Sequence, residues 1–296
     1  MPPPAPPPND PVPAPREGTV SEPLRLDSTV LLADGVAIPR LGLGVYQARP
    51  GEETRRAVLE ALRAGYRHVD TARVYGNEAD VGRAIRESGI PRAEVFVTTK
   101  LWNADHGRDA ALRAADASLE RLGLGPVDLY LVHWPVEGLR RDTWRAMEDI
   151  RAAGKARSIG VSNYTVRHLE ELLGYARVAP AVNQVEIHPF LPQAELAEWC
   201  RDHGVQVEAY APLVKGHRMG HPILVSIAAR HARTPAQVLL RWGLERGFVV
   251  LPKSVRPERI RENAALYDFA LDAADHRALF ALGEGYRTSW DPSGVP

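Results

Sequence analysis

The sequence predicts a single (β/α)8 barrel, an α/β fold in which eight parallel strands alternate with helices. Three observations carry that expectation. Eight short apolar runs recur along the chain, separated by amphipathic helical patterns. Seven glycines (Gly65, Gly89, Gly123, Gly154, Gly174, Gly204 and Gly247) sit at or near the end of a helical pattern and just ahead of such a run, where a helix C-cap belongs. Polar residues fall at the C-terminal ends of successive runs, the end at which barrels of this kind carry their chemistry.

Residues 1–25 are dense in proline and small residues and lack an apolar core. They read as a disordered tail, neither a signal peptide nor a spanning helix, with a proline-rich partner ligand as the lesser alternative. Residues 26–296 read as one barrel domain. Leu31 to Ile38 opens it as a short hairpin, Asp34-Gly35 supplying the positive-φ turn. The eight runs follow: Leu41 to Gly44, His68 to Asp70, Val95 to Lys100, Asp128 to His133, Ala156 to Ser162, Ala181 to Glu186, Val205 to Tyr210 and Phe248 to Lys253. Helical patterns between them include Thr54 to Ala64, Glu78 to Ser88, Arg108 to Arg121 and Pro235 to Glu245. The last has Thr234 as N-cap and Pro235 at its first position. Strands buried on both faces and joined through helices run parallel, and eight such units close into a barrel. A doubly wound sheet is the runner-up. It would carry G-x-G-x-x-G after its first strand, whereas Gly42-Leu43-Gly44-Val45-Tyr46-Gln47 has glutamine in place of the third glycine.

Apolar residues make up 45% of the 296 and charged ones 25%, a globular balance that leaves room for a large core. Lys plus Arg and Asp plus Glu both number 37, so no net field draws the chain to nucleic acid or a membrane surface. The single cysteine, Cys200, cannot close an intrachain disulfide and fits no zinc spacing, which points to a reducing, cytoplasmic compartment. A monomer is expected.

Asp70, Lys100, His133, Ser162, Gln184 with Glu186, Tyr210 and Lys253 all lie at or near run ends. Strands commonly end in polar residues where they meet water, but a Lys, an Asp and a His converging on one rim ask for more. No metal site is expected, because His68, His133 and His188 are scattered and no His-X-His pair occurs among them. A serine hydrolase is excluded, since Gly160-Val161-Ser162-Asn163-Tyr164 has tyrosine where the nucleophile elbow needs its second glycine.

Three segments resemble, in order, the signatures of the aldo-keto reductase superfamily. They are Gly65 to Glu78 (Gly-Tyr-Arg-His-Val-Asp-Thr-Ala-Arg-Val-Tyr-Gly-Asn-Glu), Leu122 through Asp128-Leu-Tyr-Leu-Val-His-Trp-Pro135, and Gly154-Lys155 through Gly160-Val-Ser-Asn-Tyr164. The resemblance runs from about Thr29 to Pro296 and is nearest to prokaryotic, 2,5-diketogluconate reductase-like enzymes for small carbonyl compounds. It implies NADPH-dependent reduction of small aldehydes or ketones, with Asp70, Tyr75, Lys100 and His133 as the catalytic tetrad. The chemistry agrees: hydride reaching a carbonyl carbon leaves negative charge on oxygen, which calls for a proton donor and preorganised hydrogen bonds. Tyr75 would be that donor, its pKa lowered by the Lys100 ammonium. Asp70 would hold Lys100, and His133 would place a hydrogen bond on the substrate oxygen. The plainer alternative is a structural Asp–Lys pair with His133 as a core residue.

The resemblance also implies a cofactor site. Ser162, Asn163 and Gln184 would bind the nicotinamide carboxamide and Tyr210 would stack on its ring, with Gly44, Val45 and Leu213 also lining the cofactor. Lys253, Ser254, Arg259, Glu262 and Asn263 match the adenosine 2′-phosphate and adenine site, Lys253 and Arg259 meeting the phosphate by charged hydrogen bonds. Ala211 stands where many relatives carry serine, which removes one pyrophosphate contact. Tyr46, Trp102 and Trp134 are substrate-pocket candidates, each equally able to be a core filler. Short connections after His133 and Leu213 imply a shallow, open pocket. The superfamily also includes potassium-channel β subunits, so a catalytically weak NADP(H)-binding regulatory subunit is the alternative.

Overall fold

The structure, a computed structural model, describes residues 23–296; most of the segment read as a disordered tail lies outside the described residues. The first elements are strands β1 (Thr29–Leu31) and β2 (Ala37–Pro39), paired antiparallel. The chain then continues through β3 (Leu43–Gly44), α1 (Glu52–Arg63), β4 (His68–Asp70), α2 (Glu78–Glu87), β5 (Phe96–Leu101), α3 (Arg108–Leu122) and β6 (Val127–Val132). Next come α4 (Arg140–Ala152), β7 (Ala156–Ser162), α5 (Val166–Leu173), β8 (Val182–Glu186), α6 (Ala194–Asp202) and β9 (Gln206–Tyr210). Two helices, α7 (Pro222–Arg230) and α8 (Pro235–Glu245), precede β10 (Val249–Leu251), and α9 (Pro257–Glu262) and α10 (Ala273–Phe280) follow it.

Strands β3 to β10 lie in sequence order in one parallel sheet. Backbone bonds from Gly42 N to the Val250 carbonyl (3.0 Å) and from Gly44 N to the Pro252 carbonyl (3.1 Å) join its two edges, so the sheet closes on itself. The expected (β/α)8 barrel is therefore the fold, and closure leaves no open strand edge.

Six of the seven capping glycines have positive φ, from 59° at Gly123 to 96° at Gly65, as a left-handed helix terminus requires. Gly174 differs. Its φ is −64°, and its N–H still bonds the Glu170 and Glu171 carbonyls, so it prolongs the last turn of α5 instead of ending it. Thr234 caps α8 as expected, its hydroxyl accepting from Gln237 N while the Gln237 side chain accepts from Thr234 N.

The hairpin forms, with a wider connection than a two-residue turn. Its strands end at Leu31 and resume at Ala37, and Gly35, at φ 86°, donates to the Leu32 carbonyl. Strand alternation turns Leu32, Val36 and Ile38 inward, where they pack on Phe96, Leu129, Val182 and Val249. Since Phe96, Val182 and Val249 begin their strands, the hairpin plugs the N-terminal end of the barrel. The opposite end stays open. A second, larger apolar layer fills the space between strands and helices, and Leu24 and Leu26 pack against its edge.

Candidate active site

Parallel strands end on the same side, so register alone gathers the polar residues that the sequence scatters. Asp70 is the last residue of β4, Ser162 of β7, Glu186 of β8 and Tyr210 of β9; Lys100 lies one residue before the end of β5, and His133 directly follows β6. Asp70, His133, Ser162 and Tyr210 line a cavity of about 1340 Å³ at the open end, and Lys100 and Glu186 are buried behind its wall. Tyr75 reaches it from a single 3-10 turn, Arg73–Tyr75, between β4 and α2.

Lys100 is fully buried and spends its three donors at once. Its Nζ lies 2.7 and 2.8 Å from the two Asp70 carboxylate oxygens and 2.9 Å from the Thr71 carbonyl, with the Tyr75 hydroxyl farther off at 3.4 Å. That geometry corrects one expectation. The Tyr75 phenol is not drawn down by the ammonium but held well above its usual value of 10.0, chiefly by burial and next by the Asp70 carboxylate. Asp70 neutralises Lys100 at closer range than Lys100 meets Tyr75, so desolvation wins. His133 is pushed well below the usual imidazole value by burial and by Lys100, and is neutral at pH 7. Its Nδ1 is buried without a partner among the described residues.

Beneath this cluster lies Glu208, which the sequence reading passed over. Its carboxylate is fully buried in β9 and accepts from Gln184 Nε2 at 2.6 Å, while the same amide nitrogen donates to Asp70 Oδ2 at 2.9 Å. Burial, with Asp70 nearby, raises the Glu208 carboxyl to about 8. The signal was present in the sequence: Glu208 interrupts an apolar run two residues before Tyr210, on the same strand face.

On one side of the cavity Ser162, Asn163, Gln184 and Tyr210 form a bonded chain. Ser162 Oγ donates to the Gln184 carbonyl (2.8 Å), Asn163 Nδ2 donates to Ser162 Oγ (3.0 Å) and to the His133 carbonyl (2.9 Å), and Tyr210 donates to Asn163 Oδ1 (2.8 Å). Asn163 holds a left-handed φ of 63° to make these bonds, a backbone state tolerable for asparagine. Leu213, Lys253, Ser254, Arg259, Glu262 and Asn263 line the cavity farther along, as does Gly44. Lys253 and Arg259 form no salt bridge among the described residues, and the nearest acceptor of Lys253 is the Gln47 carbonyl at 3.4 Å. Val45 is the exception among the expected cofactor residues. Its side chain is buried in the core, its N–H donates to the Asp70 carbonyl, and its own carbonyl accepts from Asn77 and from Ala48.

Tyr46, Trp102 and Trp134 all line the mouth. The Tyr46 ring lies 5.0 Å from that of Tyr75 and the Trp102 ring 5.3 Å from that of His133. The C-terminal segment supplies a wall that the sequence reading missed: Arg287 to Trp290 face the cavity, with Trp290 5.7 Å from Trp134. No periodic pattern marks this segment, because it has no regular structure.

Cys200 is buried with its thiol raised to about 11, an inert packing residue. No helix among the described residues is long and apolar enough to cross a membrane.

Residues 40–284 match the aldo/keto reductase family model. The chain is 49% identical over 265 residues to an aldo-keto reductase of Mycolicibacterium smegmatis, covering 89% of this chain and 96% of that one. It is 47% identical over 270 residues to glyoxal reductase of Bacillus subtilis, covering 91% and 98%. Among solved structures, an aldo/keto reductase from Brucella melitensis superposes with a TM-score of 0.83 at 48% identity, over 86% of this chain and 99% of that one. The Bombyx mori aldo-keto reductase in complex with NADP superposes at 0.84 with 36% identity, over 89% and 95%. Similarity this high, over nearly the full length of each relative and on the same barrel, makes the conclusion plain: the chain belongs to the aldo/keto reductase family and is an oxidoreductase.

Proposed function

We propose that the protein reduces small aldehydes and ketones to alcohols with NADPH, using Tyr75 as proton donor. The observation that carries this reading is the buried Asp70–Lys100 pair set directly behind the Tyr75 hydroxyl, at the floor of a cavity large enough for a dinucleotide and a small substrate together. The likeness to a glyoxal reductase and to a protein solved with NADP supports it.

The residues fit that cofactor. Ser162, Asn163 and Gln184 present amide and hydroxyl groups suited to a carboxamide, and Tyr210 offers a ring face. At the far end Lys253 and Arg259 supply two cations that form no salt bridge among the described residues, suited to a phosphate dianion. When bound, NADPH supplies a hydride to the carbonyl carbon.

The protein's own part is to bind the carbonyl oxygen and give it a proton. Neutral His133 donates a hydrogen bond from its cavity side, and Tyr75 Oη transfers its proton as charge builds on oxygen. The raised phenol pKa keeps Tyr75 protonated at every physiological pH. A donor of that kind still suffices, since the acceptor is an alkoxide, a stronger base than the phenolate left behind. Asp70 and Lys100 then steady the phenolate: Lys100 Nζ, at 3.4 Å, can close on Tyr75 Oη once that oxygen carries charge. Burial strengthens each of these interactions.

Loss of NADPH absorbance with a panel of aldehydes and ketones tests the reading. Turnover of α-keto aldehydes and benzaldehydes is expected; tight NADPH binding with no turnover of any carbonyl would favour a binding subunit instead.

A further inference from the structure

Glu186 takes no part in the chemistry above, yet it is among the most fully bonded side chains near the cavity. Its carboxylate is completely buried at the end of β8. Oε1 accepts from Thr288 N (2.7 Å), Thr288 Oγ1 (2.6 Å) and His188 Nε2 (3.2 Å), and Oε2 accepts from Ser289 N (2.9 Å). Three of those four donors belong to the C-terminal segment, more than 100 residues away in sequence. Burial alone would raise this carboxyl, but the bonds from His188 and Thr288 outweigh it and hold the group below its usual range.

Residues 287–290 belong to no helix or strand, so local structure does not fix their path. The segment's ties to the rest of the barrel are Glu186 from the barrel side and, from the loop after β9, Lys215 Nζ donating to the Thr288 carbonyl (2.6 Å), with Tyr286 N bonded to the Phe190 carbonyl (3.1 Å) just ahead of it and a partly exposed Arg287–Asp291 pair spanning it. The second tie is solvent-exposed while the first ends on a fully buried carboxylate, so the first dominates. The segment so held carries Trp290, 69% exposed, beside Trp134 at the cavity mouth.

We propose that Glu186 is a positioning residue for substrate selection: it pins residues 287–290 as one wall of the pocket, so that Trp290 and Trp134 together bind the apolar or aromatic group of a carbonyl substrate. The inference rests on the reading of this cavity as the carbonyl site. A bare two-carbon dicarbonyl has no surface for that wall and is indifferent to it; an aryl aldehyde is not.

The test compares wild type with Glu186→Gln, Trp290→Ala and the double variant, using benzaldehyde and methylglyoxal. Glu186→Gln should raise KM for benzaldehyde about tenfold, with kcat/KM for methylglyoxal and Kd for NADPH within about twofold of wild type. Hydrogen exchange at residues 287–290 should quicken. Trp290→Ala should give the same KM rise, and the double variant should be no worse than Trp290→Ala alone, since both act through one contact. Equal losses on both aldehydes, additive losses in the double variant, or unchanged KM and exchange would overturn the proposal. If Glu186→Gln does not fold, Thr288→Val cuts one of the same bonds from the segment's side and should shift KM in the same direction. If wild type reduces neither aldehyde, the carbonyl reading fails, and the exchange rates still decide the anchor by themselves.

Discussion

Lys100 Nζ sits 2.7 Å from Asp70 Oδ1 and 3.4 Å from the Tyr75 hydroxyl, so the ammonium is paired with the carboxylate first and with the phenol second. The order has a consequence for catalysis. Under the proposed mechanism the pair, electrically near neutral at rest, would become a charge stabiliser only as Tyr75 gives up its proton, an interaction stronger in the transition state than in the ground state.

Tyr75→Phe should therefore remove nearly all turnover while leaving NADPH affinity within about twofold, because it deletes only the transferable proton. Stopped-flow turnover and fluorescence titration measure the two quantities. Retention of a third of wild-type kcat would refute the donor role.

The reductive kcat should show no inflection near pH 6.5, since His133 is neutral well below that value and Tyr75 stays protonated well above it. A profile of kcat from pH 5.5 to 8 that is flat within a factor of about two is expected. A fall on the acid side centred at 6.5 would mean that His133 titrates as an exposed imidazole does.

Glu208 should make the protein less stable as pH rises. Its folded carboxyl is raised to about 8 against about 4.3 for an unfolded glutamate, so its contribution is present in full below the unfolded value and is lost as pH climbs through the folded one. Glu208→Gln carries no such dependence. Urea unfolding at pH 5 and pH 8 should show the variant gaining on wild type by up to about 1.4 kcal/mol per pH unit in that window. An advantage that stays constant with pH would mean that Glu208 is already ionised in the fold.

Replacing Lys253 and Arg259 together with alanine should weaken NADPH binding far more than NADH binding. Charged hydrogen bonds to a phosphate contribute about 1.5–3 kcal/mol each, roughly one to two orders of magnitude in Kd. Titrations of both cofactors at low and high salt separate this from a general loss of fold. Proportional loss of both would reduce the two residues to scaffolding.

Gly82 lies where α2 crosses the end of α3, and a Cβ there would come within 1.8 Å of the Leu122 carbonyl oxygen. Backbone cannot yield as a side-chain tip can. Gly82→Ala should cost about 3 kcal/mol, read as a lower urea midpoint with kcat unchanged in the folded fraction. A variant as stable as wild type would show that α2 and α3 separate easily.

Sequence by itself determined whatever is local or periodic. Apolar runs and glycine caps gave the order of strands and helices, Thr234 and Pro235 the start of α8, and the three signature segments the family, with Asp70, Tyr75, Lys100 and His133 arriving on one rim as expected. Tertiary structure decided what depends on partners distant in the chain. That Tyr75 is a reluctant acid follows from its burial and from Asp70, 30 residues from Lys100, holding that ammonium at closer range; that Glu208 is raised follows from the dry interior around it. The wall at Trp290 follows from bonds to Glu186 made 102 and 103 residues away, and no window along the chain contains both ends of such a bond. Propensity and pattern act between neighbours, whereas acidity, burial and the shape of a pocket are set by whatever the closed barrel brings alongside.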